Sequence, residues 1–253
     1  MYAQERHRLI VERARLDGRV EVNALATELA VTTETVRRDL TVLERAGVVR
    51  RVHGGAIPVE RLGFEPGVAA RDAVMTGEKE RIAKAALAEL PEEGSVIIDA
   101  GTTTGRLIEI LPVDRELTVV VNAPAFAAQL ATRSNLTVLM LGGRIRGRTM
   151  AAVDDWALAP LSQLCVDVAF IATNGVSIGR GLTTPDITEA AVKRAMIGAA
   201  RRTVLLADHS KVGADCMARF GGLADVDLFI TDAGLDEETA AEFGDAGVRV
   251  VRT

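Results

Sequence analysis

The sequence predicts an α/β protein built from two domains of different size. Helical periodicity followed by a glycine-rich turn fills residues 3–58, and short β-branched runs alternate with helical segments across residues 78–253. Residues 59–77 mix proline, glycine and charge with little periodicity, which is typical of a linker. We therefore expect a small helical head, a linker and a larger domain with a mostly parallel sheet.

Composition sets the broad class of protein. The chain has 253 residues, of which 48% are hydrophobic, so it can bury at least one large core. Its start, MYAQERHRL, is charged from the fifth residue and does not predict a secretory signal. The most apolar stretch, LTVVVNAPAFAAQLA, is interrupted by Asn122 and Pro124, so no membrane span or membrane partner is predicted. We expect a soluble, cytoplasmic protein.

Cysteine usage and charge narrow the choice of partners. Cys165 and Cys216 lie far apart without C-x-x-C spacing, so we expect two buried, inert thiols and no metal site. The formal net charge of −5 argues against a nucleic-acid partner. However, residues 1–61 carry a net charge of +2 and the remaining residues carry −7. A basic amino-terminal segment joined to an acidic remainder is the charge distribution expected of a DNA-binding module fused to another domain.

Three short helices are predicted in the head. Apolar spacing marks a first helix over residues 9–16, ended by Asp17 and Gly18, and a second over residues 22–29. After a tight turn, the Thr32 hydroxyl is placed to cap a third helix by accepting a bond from a backbone N–H. Thr35 stands where a capping box would have Glu or Gln, so that motif is only partial.

The third helix turns its arginines away from its apolar stripe. At about 100° per residue, Val36 and Leu40 share one face, while Arg37 and Arg38 lie on the other. Two helices joined by a short turn, with a free arginine face on the second, form the geometry that places a helix in the DNA major groove. The alternative is a solvated face whose charges pair internally, such as Glu34 with Arg38 at i, i+4.

The segment VVRRVHGGA predicts a wing beside this helix. Gly47 ends the helix, residues 48–52 form a strand, and the glycines after His53 permit a hairpin turn. Arg50 and Arg51 would then meet phosphates or the minor groove of double-stranded DNA. For His53, a turn position without a DNA contact is the alternative. The candidate DNA-binding residues are Thr32, Thr33, Thr35, Arg37, Arg38, Arg50 and Arg51.

The head resembles the DeoR-type winged helix-turn-helix of bacterial transcriptional regulators over residues 3–58. The resemblance rests on VTTETVRRDLTVLERAGVVRRVHGGA, in which Thr32 and Val36 stand where the family usually has serine and isoleucine. It implies that the arginine-bearing helix reads an operator sequence in DNA. It also implies that Asp39 orients a neighbouring arginine.

Seven apolar strands are predicted in the larger domain. SVIID, LTVVV, LTVLML, VDVAFI, TVLLA, VDLFIT and VRVV are separated by helical patterns such as KERIAKAALAEL. This alternation predicts a Rossmann-like, mostly parallel sheet covered on both faces. Polar or glycine-rich tails follow five of the strands: DAGTTTG, Asn122, GGRIRG, ATNG and ADHSK. Because ligands bind at the carboxyl ends of such strands, the five tails together predict a polar ligand pocket.

The chemistry of the tails favours a phosphorylated ligand. Gly101 permits a tight turn, and the three threonines after it offer hydroxyl and N–H groups at a helix amino terminus, where an anion is favoured. Simple helix capping is the alternative for the threonines. Arg144 and Lys211 can add positive charge, with an exposed surface position as the alternative for Lys211, whereas Arg146 and Arg148 are expected on an exposed loop. The candidate ligand-binding residues are Asp99, Gly101, Thr102, Thr103, Thr104, Asn122, Gly143, Arg144, Asn174, Gly175, Asp208 and Lys211.

The larger domain resembles the DeoR-type sensor domain, which is similar in fold to ribose-phosphate isomerase, glucosamine-phosphate deaminase and the CoA transferases. The resemblance rests on KERIAKAAL, DAGTTT, VVNAP, LGGRIR, DVAFIATNG and LLADHSK. It implies a phosphorylated sugar effector whose phosphate lies on the loop at residues 101–104. The version VDVAFIATNGVSIGRGLTTPD is most similar to regulators of fructose utilisation and suggests fructose 1-phosphate. Asp154 stands where many members carry glycine, and His209 replaces the usual serine.

Three functions compete on this sequence. We expect a repressor of a sugar-utilisation operon that acts as a homo-oligomer, a dimer or tetramer, without a cofactor. A sugar-phosphate isomerase or deaminase would need a general base and acid, for which Asp208, Lys211 and Asp99 are candidates. Yet fold similarity does not carry activity, and an enzyme has no use for VRRDL and a wing, so we expect no enzyme. The third alternative is a metabolite-binding scaffold whose head contacts proteins.

Overall fold

The computed structural model describes residues 3–45, 48–52, 54–58, 65 and 67–253, except for the side chains of Gln4, Arg15 and Leu16. The chain divides into two compact units, Met1–Val74 and Met75–Thr253. Each unit has its own hydrophobic core, which is the property that defines a domain. The predicted linker, residues 59–77, includes a short helix and the start of the next one, while residues 59–64 and 66 lie outside the described residues.

The first unit packs helices against a small antiparallel sheet. Its elements are α1 (Ala3–Asp17), β1 (Val20–Glu21), α2 (Val22–Glu28), α3 (Thr33–Arg45), β2 (Val49–Val52), β3 (Gly55–Pro58) and α4 (Val68–Asp72). The strands lie in the order β1, β3, β2, so β2 and β3 form the predicted hairpin. The three predicted helices are present, whereas the two-residue strand β1 was not predicted. The predicted helix end at Gly47 and the turn residue His53 lie outside the described residues.

The core of the first unit is built from the apolar stripes of its helices. Ile10 of α1 and Val36 and Leu40 of α3 are fully buried in one cluster, to which α2 adds Leu25 and the wing adds Val49. The α3 residues follow helical spacing, so one face of that helix is covered and the other is left to solvent. The wing and the two preceding helices therefore hold α3 with a fixed face outward.

The second unit is a parallel α/β domain with additional short strands. Its elements are α5 (Thr76–Ala86), β4 (Glu93–Ile98), α6 (Thr102–Glu109), β5 (Glu116–Val121), α7 (Pro124–Leu130), β6 (Leu136–Met140), β7 (Arg144–Arg146), β8 (Ala151–Val153), α8 (Asp155–Leu161), β9 (Val168–Ala172), β10 (Gly175–Ser177), β11 (Gly181–Thr184), α9 (Ile187–Gly198), β12 (Thr203–Leu206), β13 (Ala218–Gly221), β14 (Leu228–Thr231), α10 (Glu237–Asp245) and β15 (Arg249–Arg252). Short 3₁₀ turns cover Leu87–Glu89, His209–Lys211 and Leu223–Asp225.

The main sheet has seven strands in the order β15, β14, β12, β9, β4, β5, β6, and every pairing is parallel. Ile97 and Val120 pack into the core cluster shared with α8, α9 and α10, while Ile98 and Val121 pack into the cluster shared with α5, α6 and α7. Successive strand residues point to opposite faces, which explains why these strands are apolar throughout. The predicted sheet, covered on both faces, is confirmed.

Two smaller sheets were not predicted from the sequence. β10, β11 and β13 form an antiparallel sheet, and β7 and β8 form a separate two-stranded ribbon. These strands are only three or four residues long and consist mostly of small or charged residues and glycine, so they lack the long β-branched runs that mark a strand in a sequence. The ribbon and the small sheet both lie in segments that follow the carboxyl ends of main-sheet strands.

The structure describes the surroundings of the two cysteines and the length of the helices. The prediction of two buried thiols is wrong, because Cys165 is exposed and Cys216 is only half-buried. Both lie in loops, where the chain lacks the apolar cover that the strands receive. Among the described helices, none combines the length and apolar character needed to cross a bilayer.

Candidate functional site

The amino terminus of α3 is fixed by a threonine cap. The Thr35 backbone N–H donates to Thr32 Oγ1 at 3.2 Å, and the two threonine hydroxyls share a hydrogen bond of 2.9 Å. Ala30, with φ of 53°, supplies the tight turn before the helix. The predicted cap is therefore present, and Thr35 completes it through its hydroxyl in place of a capping-box carboxylate. Thr33, the first residue of α3, is half-buried beside this cap.

The outward face of α3 and the first wing strand enclose a groove of about 420 Å³, which we call the arginine groove. It is lined by Glu34, Arg37, Arg38, Thr41, Val42, Arg45 and Arg51. Four of these residues are arginine and one is acidic, so the lining is strongly positive. The predicted alternative paired Glu34 with Arg38, whereas the structure places Glu34 Oε2 3.9 Å from Arg37 Nη1 at i, i+3.

The wing strand is fastened to α3 by side-chain contacts. The Arg51 backbone N–H donates to Glu44 at 2.9 Å, and the Arg51 guanidinium lies 3.3 Å from Thr41 Oγ1. Thr41 in turn donates to the Arg37 carbonyl at 2.9 Å. Arg50 and Arg51 are both exposed on β2. The structure therefore brings the predicted arginines of the helix and Arg51 of the wing to one surface.

A buried ion pair ties α1 to α3. The Arg6 guanidinium donates two hydrogen bonds to Asp39, at 2.5 and 2.9 Å, and His7 Nε2 lies 2.9 Å from the same carboxylate. Burial opposes ionisation of Asp39, but the bonds from Arg6 and His7 outweigh it, so the pKa of Asp39 is lowered. The neighbouring arginine expected for Asp39 is thus Arg6 of α1, which sequence reasoning missed because it lies 33 residues away.

The second unit has its topological switch point between β4 and β9. From β4 the chain runs to β5 and β6 on one side of the sheet, and then returns to β9, β12, β14 and β15 on the other. In open α/β sheets a crevice forms outside the carboxyl ends of the strands at this point. All five predicted tails follow carboxyl ends of main-sheet strands, and those after β4 and β9 flank the switch point. We call the five tails together, residues 99–105, 122, 142–147, 172–175 and 207–211, the sheet-edge site.

The loop after β4 is held tightly at the sheet-edge site. The Ala100 backbone N–H donates to Asn122 Oδ1 at 2.7 Å, and Thr104 Oγ1 donates to the Gly101 carbonyl at 3.0 Å. A Cβ on Gly101 would lie 2.8 Å from the Ala172 side chain. The φ of Gly101 is −176°, an extended conformation open to any residue, so the glycine is needed for close packing and not for the tight turn expected. Thr103 and Thr104 are buried, and Thr102, the first residue of α6, is half-buried.

A buried lysine–carboxylate pair lies between β4 and β9. Asp99 is 1% exposed, and its Oδ2 accepts hydrogen bonds from the Ala172 backbone N–H at 3.0 Å and from Lys193 Nζ. Lys193 also donates to the Ala172 carbonyl at 2.9 Å and lies over the Phe220 ring. Sequence reasoning missed Lys193. A signal was present, since Glu189 and Lys193 lie at i, i+4 on a face of α9 that is otherwise apolar.

Glu189 organises a second polar cluster beside Lys193. Its carboxylate accepts hydrogen bonds from Thr149 and, at 3.3 Å, from Thr184, whose hydroxyl also lies 3.0 Å from Asn174 Oδ1. Arg146 lies 3.6 Å from Glu189 Oε1 and 3.0 Å from Asp186 Oδ2. The structure therefore connects the predicted residue Asn174 to side chains that were not predicted.

The two arginines of the β7–β8 ribbon pair with carboxylates in different surroundings. Arg146 was expected on an exposed loop, but its side chain is only 15% exposed because two carboxylates of the α9 region hold it. Arg144 was expected in the ligand pocket and stays a candidate there; its Nε lies 2.7 Å from Asp154 Oδ2, and its side chain is 58% exposed. Gly143, with φ of 121°, is packed so closely that a Cβ would lie 2.4 Å from the Val153 carbonyl oxygen.

Ionisable side chains follow β12 and β14. Asp208 accepts hydrogen bonds from the backbone and hydroxyl of Ser210, and burial opposes its ionisation. The charges on Lys211 and Lys79 and the bond from Ser210 outweigh burial, so the pKa of Asp208 is lowered. Lys79, on α5, is 3% exposed and was not predicted as a site residue. The structure therefore places two cations, the buried Lys79 and the half-buried Lys211, near the predicted Asp208.

His209 is held by the strand beside it. Its Nδ1 lies 2.7 Å from Asp232 Oδ2, and its backbone N–H donates to Asp232 Oδ1 at 2.8 Å. Burial opposes ionisation of Asp232, but the bonds from His209 and Gly234 lower the pKa of Asp232 to about 2. A Cβ on Gly234 would lie 2.3 Å from the His209 ring, so this glycine makes room for the histidine. Within the described residues, no group of three or more His, Cys, Asp or Glu side chains is arranged to hold a metal ion.

The two units together define a class of protein. A winged helix-turn-helix with an arginine-lined outward face, in one chain with an α/β domain that has a polar site at its switch point, is the architecture of a transcriptional regulator with a separate sensor domain. Residues 6–61 match the DeoR-like helix-turn-helix domain, and residues 75–233 match the DeoR C terminal sensor domain. The chain belongs to the DeoR family of transcriptional regulators, and the family predicted from the sequence is confirmed.

Several regulators match along nearly the whole chain. The HTH-type transcriptional regulator GlpR of Haloferax volcanii is 39% identical over 99% of this chain and 98% of its own length. The glycerol-3-phosphate regulon repressor of Escherichia coli is 31% identical, with 92% of each chain covered. Ribose 5-phosphate isomerase A from Neisseria gonorrhoeae is a structural neighbour with 18% identity and a TM-score of 0.40, covering 57% of this chain and 55% of that one. The relatives that match over nearly their whole length are regulators, which favours the regulator over the isomerase alternative. As a member of this regulator family, the protein is not an enzyme.

Proposed function

We propose that this protein is a repressor of a sugar-utilisation operon, which binds operator DNA through the arginine groove and responds to a phosphorylated sugar at the sheet-edge site. The observation that carries the proposal is the groove itself. Four arginines line one concave surface that combines the outward face of α3 with the wing. Arginine donates to both guanine edges and phosphates, so such a surface suits the major groove and its flanking backbone.

The residues of the head divide into two roles in this proposal. Arg37 and Arg38 lie near the start of α3, where side chains of a recognition helix reach base edges. Arg50 and Arg51 lie on the wing and hold the DNA backbone. Thr32, Thr33 and Thr35 surround the amino terminus of α3, where backbone N–H groups favour a phosphate.

The sheet-edge site supports a phosphorylated effector. The amino terminus of α6, with Thr102, Thr103 and Thr104, follows the carboxyl end of β4 at the switch point, and the positive charges of Lys79 and Lys211 act on Asp208 in the tail after β12. Asn174 and Asp208 are the candidates for bonding sugar hydroxyls, and their side chains also hold Thr184 and Ser210. Asp99 and Asn122 act mainly by positioning, because their oxygens already hold Ala172, Lys193 and Ala100.

The remaining candidates, Gly143, Arg144 and Gly175, belong to the tails that follow β6 and β9. Gly143 immediately precedes the β7–β8 ribbon, Arg144 is its first residue, and Gly175 packs so closely that a Cβ would lie 2.2 Å from the Ala214 carbonyl oxygen. For the effector we propose fructose 1-phosphate first, from the sequence, and glycerol 3-phosphate second, because one relative is named for that metabolite. We further propose a homo-oligomer, whose paired heads read half-sites about one DNA turn apart.

DNA binding tests the first part of this proposal. A fluorescent fragment from upstream of the protein's own gene is titrated with full-length protein at several salt concentrations. We expect the logarithm of affinity to fall linearly with the logarithm of salt, with a slope that reports several displaced counterions. Arg37→Ala should weaken binding by about tenfold, because one bidentate base contact is lost. Arg148→Ala, which removes an exposed arginine from the second unit, is the matched control and should bind normally.

The effector is tested in the same assay. Inorganic phosphate, fructose 1-phosphate, glycerol 3-phosphate and the unphosphorylated sugars are added to the protein–DNA complex. We expect a phosphorylated sugar to change operator affinity and its unphosphorylated counterpart to have no effect, because the proposed site selects an anion. Binding that ignores both locus and salt would overturn the repressor proposal, and a response to unphosphorylated sugars alone would overturn the phosphate site.

A further inference from the structure

Glu34 is the one acidic residue among the described residues that line the arginine groove. Its side chain is 71% exposed and lies on the first turn of α3, at the end of the helix that reaches base edges in a major-groove complex. The four arginines around it favour the phosphate backbone, whereas a carboxylate at the same surface is repelled by that backbone. Glu34 therefore lowers affinity for DNA in general, and its place in the groove calls for another reason.

Stabilisation of the folded head is not a sufficient reason. The nearest approach of Glu34 to a cation is 3.9 Å, to Arg37, whose side chain is 55% exposed. Exposed pairs of this kind contribute little, because solvent and salt screen them. Neither side chain is buried, so removing Glu34 leaves no unpaired buried charge. The pair does, however, place an acceptor and a donor fork side by side on the DNA-facing surface.

That arrangement matches one feature of the major-groove edge of DNA. Cytosine presents its N4 amino group as a donor there, and its paired guanine presents O6 and N7 as acceptors. A carboxylate accepts from cytosine N4, and an arginine donates to guanine O6 and N7. We infer that Glu34 is a base-selecting residue that specifies cytosine at one position of each operator half-site. Arg37 then donates to the guanine that is paired with this cytosine. This inference rests on the DNA binding proposed above.

The same glutamate also lies where it can stabilise the helix dipole. An acidic residue in the first turn of a helix is favourable whether or not it touches DNA. A carboxylate kept for that purpose alone would affect unfolding and leave the base preference of the protein unchanged. The two roles therefore separate in an experiment that measures both base preference and stability.

The experiment selects binding sites from a randomised duplex library with full-length protein and sequences the bound DNA. Four proteins are compared: the native chain, Glu34→Ala, Glu34→Gln and Glu12→Gln. Glu12 is an exposed glutamate of α1 that does not line the groove, so Glu12→Gln removes the same charge from the same unit and is the matched control. Thermal unfolding of each protein measures the contribution of the helix dipole.

We expect the native protein to select cytosine about tenfold over other bases at one position of each half-site, and Glu34→Ala to lose that selection there while keeping the rest of the site. Glu34→Gln should prefer adenine at that position, because a glutamine amide pairs with adenine N6 and N7. Both variants should bind unrelated DNA about threefold more tightly, since one repulsive charge is gone. Glu12→Gln should select the native site.

Three other results would contradict the assignment of Glu34 or the DNA binding on which it rests. Identical base preferences in all four proteins would overturn the assignment of Glu34, and a lowered unfolding temperature of Glu34→Ala would then leave only the dipole role. A native protein that enriches no sequence at all would overturn the proposed DNA binding and this inference with it. A changed preference in Glu12→Gln would also overturn it, because net charge alone would then explain the effect.

Discussion

Asp154 holds a backbone conformation that is normal only for glycine. Its φ is 75° and its ψ is −172°, and such strain costs a residue with a side chain about 1–3 kcal/mol. Glycine adopts this conformation without strain, so the strain belongs to the aspartate and not to the turn. The aspartate brings a carboxylate within 2.7 Å of Arg144, and the pKa of Arg144 is raised by its hydrogen bond to that carboxylate.

We expect Asp154→Gly to stabilise the second unit. The substitution removes backbone strain worth about 1 kcal/mol or more, while the lost ion pair is solvent-exposed and contributes little. Chemical denaturation of the native protein and the variant measures the difference. Asp154→Asn is the control, because it removes the ion pair and keeps the strained backbone. A variant with glycine that is no more stable than the one with asparagine would show that the turn is not strained.

Asp232 gives the stability of the second unit a defined pH dependence. Its pKa falls from 3.8 to about 2 through hydrogen bonds from His209 and Gly234 against the opposing effect of burial. A lowered carboxylate pKa contributes stability that is complete above the unfolded value and is lost as pH falls through the folded value. The shift of Asp232 corresponds to about 2 kcal/mol, present at neutral pH and lost between about pH 4 and pH 2.

Asp232→Asn should therefore be less stable than the native protein by about 2 kcal/mol at pH 7, with a difference that shrinks as the pH falls below about 4. Urea unfolding at a series of pH values gives this comparison. The direction of this pH dependence identifies the group, because a group with a raised pKa would lose its contribution to stability as the pH rises. If the difference stayed constant down to pH 3, ionisation of Asp232 would not be the cause.

At the scale of elements, α3 depends on contacts made at both of its faces. The threonine cap fixes its start, Glu44 and Thr41 hold the wing against its outer face, and Asp39 joins its inner face to α1 through Arg6. The side chains of Arg6 and Asp39 are 11% and 7% exposed. Breaking a buried ion pair leaves one charge without its partner, which is strongly destabilising.

We expect Asp39→Asn to destabilise the first unit by about 3 kcal/mol and to weaken operator binding through loss of the folded head. Circular dichroism during thermal unfolding should show a lowered transition for the first unit and an unchanged one for the second, since each has its own core. Glu12→Gln is again the control, because its pair with Arg8 is exposed. Retention of full stability in Asp39→Asn would show that the pair does not hold α1 to α3.

The elements of both units were largely predictable from the sequence, and the contacts between them were not. The end of α1 at Asp17, the Thr32 cap and the polar tails after the parallel strands follow from local spacing and capping chemistry. Lys193 and Asp99 are separated by 94 residues, and no local pattern brings them together. Arg146 was misplaced for the same reason, since its exposure is decided by carboxylates of the distant α9 region.

At the scale of the whole molecule, the proposed function is a coupling between two sites in separately folded units. A ligand can change DNA affinity only by as much as its own affinity differs between the DNA-bound and DNA-free forms. By linkage, the factor by which the effector changes operator affinity must equal the factor by which operator DNA changes effector affinity. This reciprocity holds whether the effector releases the repressor or tightens it.

Gly101→Ala should separate the effector response from DNA binding. The added methyl would lie 2.8 Å from the Ala172 side chain and 3.0 Å from Thr104 Oγ1, so the threonine loop must shift, while the first unit contains no part of this loop. Without effector, the variant should bind operator DNA with native affinity and native salt dependence. With effector, the change in operator affinity should fall by at least about tenfold relative to the native protein, as expected when a shift of about 1 Å disrupts an anion contact.

Calorimetry of effector binding with and without operator DNA completes the comparison for the native protein. The two coupling factors should agree within error, because both measure one thermodynamic cycle. Unequal factors would mean that the effector acts at a place other than the site whose occupancy is titrated. A Gly101→Ala protein with a full effector response would place the anion away from the threonine loop, although the arginine groove could still read DNA. The response of this single variant therefore decides whether the amino terminus of α6 is the sensor of the molecule.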